Sequence, residues 1–470
     1  MDAFKTLVTE FGEVLSALVF AAVEIGGVDV SLIVLWLLAG MVFFTIRLGF
    51  LNLRSLGHSI RALKGRYSRP GSPGTMSPFQ AFATALSGTV GLGNIAGVAI
   101  AIAIGGPGAA FWMIVVGFFA MSLKFAEVTI ALRYRMVEGQ GQESGRSVSG
   151  GPMWYLSRGL ADRGLPRLGK LLGGIYAFVA LFALIQILQV NQSYSQMQAV
   201  VGAGDNDIFA LAYGSIIALL AGLVLIGGAK GVASVTEKLT PAMCALYLIG
   251  VAVVLGAHAD QIGSAMVTII ASAFSHDAAA GGLLGAFVAG MRRAVYSNEA
   301  GIGTATMAHS SAMTDVPASQ GYVALLEPMV DTLIVCSATA LMIVASGVWD
   351  DGFSDIGMTS AAFASVSSWF PIVLAICVSL FAFSTVLAAG YYGQQVCRYL
   401  FGQRVWAQRV YLVIFCGILP VGAVTDVRAL VNIVDSFFFL LAVPNLIGLY
   451  LMTGAIRKEI AIFRDAEMVD

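Results

Sequence analysis

The chain is poor in charge. Of its 470 residues only 11% are Asp, Glu, Lys or Arg, against about 25% in an average soluble domain. So little charge cannot cover a water-exposed surface, which excludes a soluble globular protein. The net charge is −1, and no basic arm or tail is present, so nucleic acid is not an expected partner. The five cysteines (Cys244, Cys336, Cys377, Cys397 and Cys416) lie in apolar stretches without Cys-x-x-Cys spacing. They read as free, helix-packed thiols and not as disulfides or metal ligands. Four histidines, at 58, 258, 276 and 309, supply neither a nucleophile–base pair nor a metal cluster, so an intramembrane enzyme is not expected. The N-terminus lacks a basic segment followed by a small-residue cleavage site, and no removed signal peptide is expected.

Apolar residues dominate instead, at 58% of the chain with a mean hydropathy of +0.86. Runs of about 20 apolar residues, the length that crosses a bilayer as a helix, recur throughout. They predict an all-α membrane protein with about eleven spans, at 30–50, 79–104, 109–133, 170–201, 208–227, 235–257, 264–295, 320–347, 370–399, 407–424 and 427–454. Residues 4–26 carry Phe4, Leu7, Phe11, Leu15 and Leu18 at helical spacing among Glu10, Glu13 and Glu24. That pattern predicts an amphipathic helix lying at the interface. With the N-terminus outside, 23 of the 26 Lys and Arg fall in inner loops, Arg292 and Arg293 among them, while Asp205, Asp207, Asp260, Asp350, Asp351 and Asp355 fall outside. This asymmetry predicts an N-out, C-in multi-pass protein of the plasma (inner) membrane.

One span is interrupted at its centre. Ala85-Leu-Ser-Gly-Thr-Val-Gly-Leu-Gly-Asn-Ile-Ala-Gly97 places four glycines and an asparagine inside an apolar run. Each glycine weakens a helix interior by roughly 1 kcal/mol relative to alanine. Backbone freed from a helix at membrane depth is tolerated only where protein or a ligand satisfies it. With the first span set aside, ten remain, in two halves of five that must run inverted relative to each other. The expected divisions are 1–78 (interfacial helix, extra span, basic loop), 79–257 (first repeat), 258–454 (second repeat) and 455–470 (tail). The first helix of the second half reads as broken at Ser275-His-Asp-Ala-Ala-Ala-Gly-Gly282. Breaks at corresponding places in two halves point to an inverted-repeat transporter with its site at the midplane.

Several words along the chain resemble the alanine or glycine:cation symporter family: Thr84-Ala-Leu with Gly91-Leu-Gly-Asn-Ile-Ala-Gly97, Gly105-Gly-Pro-Gly-Ala-Ala-Phe-Trp-Met113, Lys124 with Glu127, Gly150-Gly-Pro-Met153, Ser297-Asn-Glu-Ala-Gly-Ile-Gly303, Ala308-His309, Thr314-Asp315 and Asp331-Thr-Leu-Ile-Val-Cys336. They occur in order over about residues 75–455. The resemblance implies a sodium-coupled importer of small amino acids such as alanine or glycine, with an inverted five-helix-repeat fold (amino acid–polyamine–organocation-like) and one extra N-terminal helix. Val90-Gly-Leu-Gly-Asn94 is also similar to the first helix of neurotransmitter:sodium symporters.

A zwitterion needs donors for its carboxylate and acceptors for its ammonium. The amides of Leu92 and Gly93, opening the second half-helix, suit the carboxylate, and Thr89, Gly91 and Asn94 stand beside them. Close helix packing by small residues is the alternative account of the glycines. Gln186, Gln189 and Ser193 share one helical face, and by resemblance Gln189 and Asn191 match polar positions lining the family's pocket; interhelical hydrogen bonding is the alternative. Ser275 is a candidate through the second break. For the coupling Na⁺, carbonyls of Ser87, Thr89 and Val90 with the oxygen of Asn94 are suitable hard ligands. The resemblance adds the hydroxyls of Ser384 and Thr385, which otherwise back-bond to their own helix. The family often has Gly-Trp before a Tyr-Tyr-Gly-Glu word, where this chain reads Ala389-Gly390-Tyr391-Tyr392-Gly393-Gln394; an absent indole at Ala389 implies extra room near the pocket.

Charged residues at membrane depth are functional candidates by default. Lys124 and Glu127, three apart, can neutralise each other, whereas Glu327 and Asp331, four apart, repel unless one is protonated or both face water or a cation. His276 and Asp277 sit in the second break, and His309 reads as a loop residue without a role. Proton coupling through Glu327, Asp331 or His276, or a substrate sensor on the same fold, are the alternatives to Na⁺-driven import.

Overall fold

The computed structural model describes residues 2–25, 27–69, 71–137, 148–202, 204, 206–275, 282–353, 355–402, 404–424 and 428–467. Eight helices among them are long and apolar enough to cross a bilayer, and the bent pair Pro78–Thr89 with Leu92–Gly105 makes a ninth. The two other expected spans correspond to the shorter Leu32–Arg47 and to the pair Ile262–Ala273 and Gly282–Asn298. Helix Asp2–Val19 occupies the expected interfacial segment, and a small hairpin, Ala22–Ile25 with Val28–Ser31, leads into Leu32–Arg47.

Helix starts follow local chemistry. Proline stands in the first turn of Pro78–Thr89, Pro166–Ala183 and Pro371–Phe401, where its missing N–H costs nothing. Ser77 and Gln80 form a reciprocal capping box, with bonds of 2.9 and 3.1 Å, that anchors the start of Pro78–Thr89. The glycines then end this helix at Thr89. A short 3₁₀ turn over Leu92–Asn94 follows, and Ala96–Gly105 resumes at 61° to the first half.

A second non-helical stretch faces the first, and it is not where the sequence places it. Gly282–Asn298 ends at Asn298, and Thr306–His309 is the next helical turn. Between them Glu299, Gly301 and Gly303 have φ of 54°, 91° and 90°. Glycine suits two of these positions; at Gly301 an added Cβ would also meet Leu37 Cδ2 at 2.2 Å. Unwound backbone at this depth needs partners, and distant helices supply them. Glu127 Oε1 accepts from the Gly301 amide (2.9 Å), Asn445 Nδ2 donates to the Gly301 carbonyl (2.8 Å), and the Tyr176 hydroxyl donates to the Ile302 carbonyl (3.0 Å). The expected break at 275–282 falls between Ile262–Ala273 and Gly282–Asn298; His276 and Asp277 lie outside the described residues.

Three further readings are corrected. Lys124 reaches Glu327 at 3.2 Å, while Glu127 bonds Gly301 and Asn445. His309 is fully buried and contacts Glu327 through Nε2, with Gln320 at 2.7 Å from its Nδ1. Arg292 and Arg293 lie on a membrane helix and line a cavity of about 410 Å³ with Asp29 and Ile104. Ile104 is at the far end of the bent pair from Ser77, so these two arginines lie at the end of the bundle opposite the loops expected to be inner. The remaining 21 still give a strong bias.

Helix Gly282–Asn298 packs on Gly108–Tyr134 through Gly290, where a Cβ would come within 2.3 Å of the Ala109 carbonyl oxygen. Backbone cannot yield as a flexible side chain does, so Gly290→Ala should cost about 1–3 kcal/mol. A lowered thermal unfolding midpoint of the purified protein is expected, and an unchanged one would contradict this packing.

Candidate functional site

The two unwound stretches enclose a cavity of about 40 Å³, room for about three waters. From the first break and the helix ends beside it come Gly88, Thr89, Gly91 and Gly93; the helix end before the second break gives Tyr296, and the second break gives Glu299. The non-helical junction between Pro166–Ala183 and Ile187–Val201 contributes Gln186, and the first turn of Ile187–Val201 contributes Gln189. Thr385 of Pro371–Phe401 and Asp435 with Phe438 of Arg428–Leu440 complete the wall. Of the substrate residues expected from sequence, Thr89, Gly91, Gly93 and Gln189 line this space. Leu92, Asn94, Asn191, Ser275 and Ala389 do not. Tyr296, Glu299 and Asp435 were missed as pocket residues; for the two acids, charge at membrane depth is the signal that could have found them.

Asn94 is fully buried and its amide is committed within the protein. Oδ1 accepts from the Gly91 amide (2.8 Å), and Nδ2 donates to the Asp331 carbonyl and Oδ1 at 3.0 and 2.6 Å. Asp331 begins the third residue of a π-helical stretch, Met329–Cys336. Such stretches leave carbonyls free for outside donors and recur at functional sites. Its other oxygen accepts from Ser297 (2.8 Å) and Thr332 (2.7 Å). One carboxylate therefore joins the first break to the helix end that opens the second.

The expected ion ligands converge in part. Hydroxyls of Ser384 and Thr385 lie 3.3 and 3.2 Å from the Ser87 carbonyl oxygen, and both also bond the Phe381 carbonyl, at 2.9 and 3.0 Å. Thr89 bonds the Leu86 carbonyl at 3.3 Å, and Val90 is buried at the end of the same half-helix. The Asn94 oxygen, by contrast, is held by Gly91. These neutral oxygens suit an alkali cation, and no cluster of His, Cys, Asp and Glu able to hold a multivalent metal exists among the described residues.

Two buried acceptors on the cavity wall lack a hydrogen bond: Gln189 Oε1 and Asp435 Oδ1. Tyr296 contacts the Asp435 carboxylate through its hydroxyl. Glu299 accepts from Thr304. Buried acceptors without donors cost about 1–3 kcal/mol each, so a cationic donor in the cavity would be stabilised there. Asn191, by contrast, donates to the Gly422 carbonyl at 3.0 Å and joins two helices.

The model of the sodium:alanine symporter family matches residues 16–469. The chain belongs to that family. A sodium/alanine symporter of Methanococcus maripaludis, AgcS, is 36% identical over 91% of this chain and 93% of its own length. A probable sodium/glutamine symporter of Bacillus subtilis, GlnT, is 34% identical over 91% and 86%. The crystal structure of MhsT in complex with L-phenylalanine has the same fold at 16% identity, with a TM-score of 0.56 over 81% of this chain and 88% of that one. A manganese transporter from Eremococcus coleocola also shares it, with a TM-score of 0.54 at 15% identity. As a member of the family, the protein is a multi-pass membrane protein and a secondary transporter of small neutral amino acids coupled to Na⁺, not an enzyme.

Asn94→Ala would release the Gly91 amide and remove the Asp331 carboxylate's donor from the break. Uptake is expected to fall at least ~10-fold, the equivalent of one lost buried bond, with membrane insertion retained. Wild-type uptake by a well-inserted variant would remove Asn94 from the working break.

Proposed function

We propose that the cavity between the breaks at 90–91 and 299–305 binds the transported amino acid, and that the oxygens around Ser87 bind the coupling Na⁺. The unpartnered acceptors Gln189 Oε1 and Asp435 Oδ1 carry this reading. A zwitterion supplies what they lack: its ammonium donates to them, with Glu299 adding negative charge nearby. The Gly93 amide, in the first turn after the break and on the cavity wall, is the donor for its carboxylate, since the first N–H groups of a helix have no intrahelical acceptor. The small volume favours alanine or glycine over larger side chains. Eleven spans, N-out and C-in, in two inverted five-helix repeats after an extra helix, accommodate both breaks near the midplane. The observed spans, the fold shared with MhsT and the residual Lys and Arg bias support that arrangement.

The Na⁺ ligands would be the Ser87 carbonyl, the Ser384 and Thr385 hydroxyls, and neighbouring carbonyls of Thr89 and Val90. Ion binding there holds helix Pro371–Phe401 against the first half-helix. A cation that binds better to one access state than to the other shifts the equilibrium between them, which is the coupling. A neutral cage needs no titrating group, so a proton gradient is not expected to replace Na⁺.

Uptake into proteoliposomes under separately imposed Na⁺, K⁺ and pH gradients tests the function. Only inward Na⁺ should drive alanine accumulation; equal uptake from a pH gradient in Na⁺-free buffer would overturn the reading. The Ser384→Ala, Thr385→Ala double variant should raise the half-saturating Na⁺ ~10-fold or more, the equivalent of ~1.4 kcal/mol of lost ligation. An unaltered Na⁺ curve would sink the ion site.

Asp435→Asn keeps the shape but removes the charge that faces the ammonium. The expected result is a raised KM for alanine with the half-saturating Na⁺ unchanged. An unchanged KM would exclude Asp435 from substrate contact.

A further inference from the structure

We propose that the groove formed by helices Asp207–Ile226, Pro371–Phe401 and Val405–Val424 binds an anionic phospholipid, with its phosphate on Arg398 and Arg409. The groove has a volume of about 960 Å³, over twenty times that of the substrate cavity. Its walls are apolar, with Leu219, Leu223, Ile226 and Val413 between 63% and 77% exposed and therefore facing the membrane. Glycines at 222 and 417 leave the floor without side chains. Leu219 to Ile226 spans about 10 Å along the helix, enough to receive the upper part of an acyl chain.

The polar end of the groove supplies the headgroup chemistry. Arg398, Arg409, Gln394 and Gln408 line it, and no acidic side chain does. Among the described residues neither arginine has an acidic partner; Arg398 Nε donates to the neutral Gln408 Oε1 at 3.5 Å. Gln394 is held by the Leu225 carbonyl at 3.0 Å and brings no charge. Two guanidiniums lining one mostly apolar trough need an anion, and arginine matches phosphate with paired donors.

Depth agrees with a headgroup. Phe401, at the end of Pro371–Phe401, and Trp406, at the start of Val405–Val424, lie with ring centroids 6.5 Å apart, and Trp406 is 58% exposed. Exposed aromatics of this kind mark the membrane–water interface. Arg398 lies three residues before Phe401 and Arg409 three after Trp406, so each starts about 4.5 Å on the membrane side of the belt. Their long side chains reach back to phosphate level. Basic pockets between membrane helices hold anionic headgroups in this way. That the leaflet is the inner one rests on the proposed C-in topology; the lipid chemistry does not.

The test uses the full chain in nanodiscs of mixed phosphatidylglycerol and phosphatidylcholine, with lipid co-released in native mass spectrometry as the readout. Wild type should retain phosphatidylglycerol over phosphatidylcholine. The Arg398→Gln, Arg409→Gln double variant should lose that retention at least ~10-fold, and the Arg398→Lys, Arg409→Lys pair should keep part of it. Leu223→Trp, which fills the trough and leaves both arginines in place, should displace the lipid and serves if the double variant does not fold. Na⁺-driven alanine uptake, scored for each variant, distinguishes loss of this site from failure of the transport reading. Equal retention of both lipids by wild type, or unchanged phosphatidylglycerol retention by the double variant or by Leu223→Trp, would overturn the proposal. A change in oligomeric state with no change in bound lipid would instead make the groove an interface between copies of the chain.

Discussion

Asp331 is the residue on which the two interrupted helices depend. One of its oxygens and its own carbonyl accept from Asn94, and the other oxygen accepts from Ser297 and Thr332. Unwound backbone at membrane depth has no water to fall back on. The first break is therefore stable only while Asn94 bridges Gly91 and Asp331. The second begins one residue beyond Asn298, next to Ser297. The cavity is the space left between two stretches that a single carboxylate holds in register.

Around this junction the protein satisfies freed backbone with side chains from remote segments. Glu127, Tyr176 and Asn445 bond Gly301 and Ile302, and Tyr155 bonds Asn445 in turn. Arg135 donates to the carbonyls of Ser310, Ala312 and Thr314, which ties the segment after the second break to the end of Gly108–Tyr134. Lys124, Glu327 and His309 form a separate buried group in which opposite charges meet. A buried charge survives when paired, and removing one partner is far costlier than never having the pair. These bonds keep the scaffold rigid, while Ser384 and Thr385 hydrogen-bond the first half-helix through the Ser87 carbonyl. At the proposed Na⁺ site, that contact is where an ion changes how firmly the two parts adhere.

Substrate and lipid face opposite chemical problems in this chain. Inside, the protein offers acceptor atoms without donors, Gln189 Oε1 and Asp435 Oδ1, in a cavity surrounded by helices. At its periphery it offers donors without acceptors, Arg398 and Arg409, in a trough open to lipid. Helix Pro371–Phe401 carries both Thr385 and Arg398, so one rigid element runs from the proposed ion ligands to the proposed lipid site.

Much of this was legible in the order of residues. Apolar runs of bilayer length and the glycines at 88, 91, 93 and 97 in one of them depend on local composition and period, which the chain states directly; the hydroxyls of Ser384 and Thr385 stood out only through the family resemblance. The break at 299–305 was not. Its word, Ser297-Asn-Glu-Ala-Gly-Ile-Gly303, is short and carries two glycines, and the Gly-rich stretch at 275–282 competes for the same reading. Nor could sequence pair Lys124 with Glu327 over its near neighbour Glu127, or bring Asp435 to a cavity beside Gln189. Asn94 and Asp331 stand 237 residues apart, and which carboxylate meets which amide is set by helix packing. Helical period decides which residues share a face; only the folded arrangement of helices decides what that face meets.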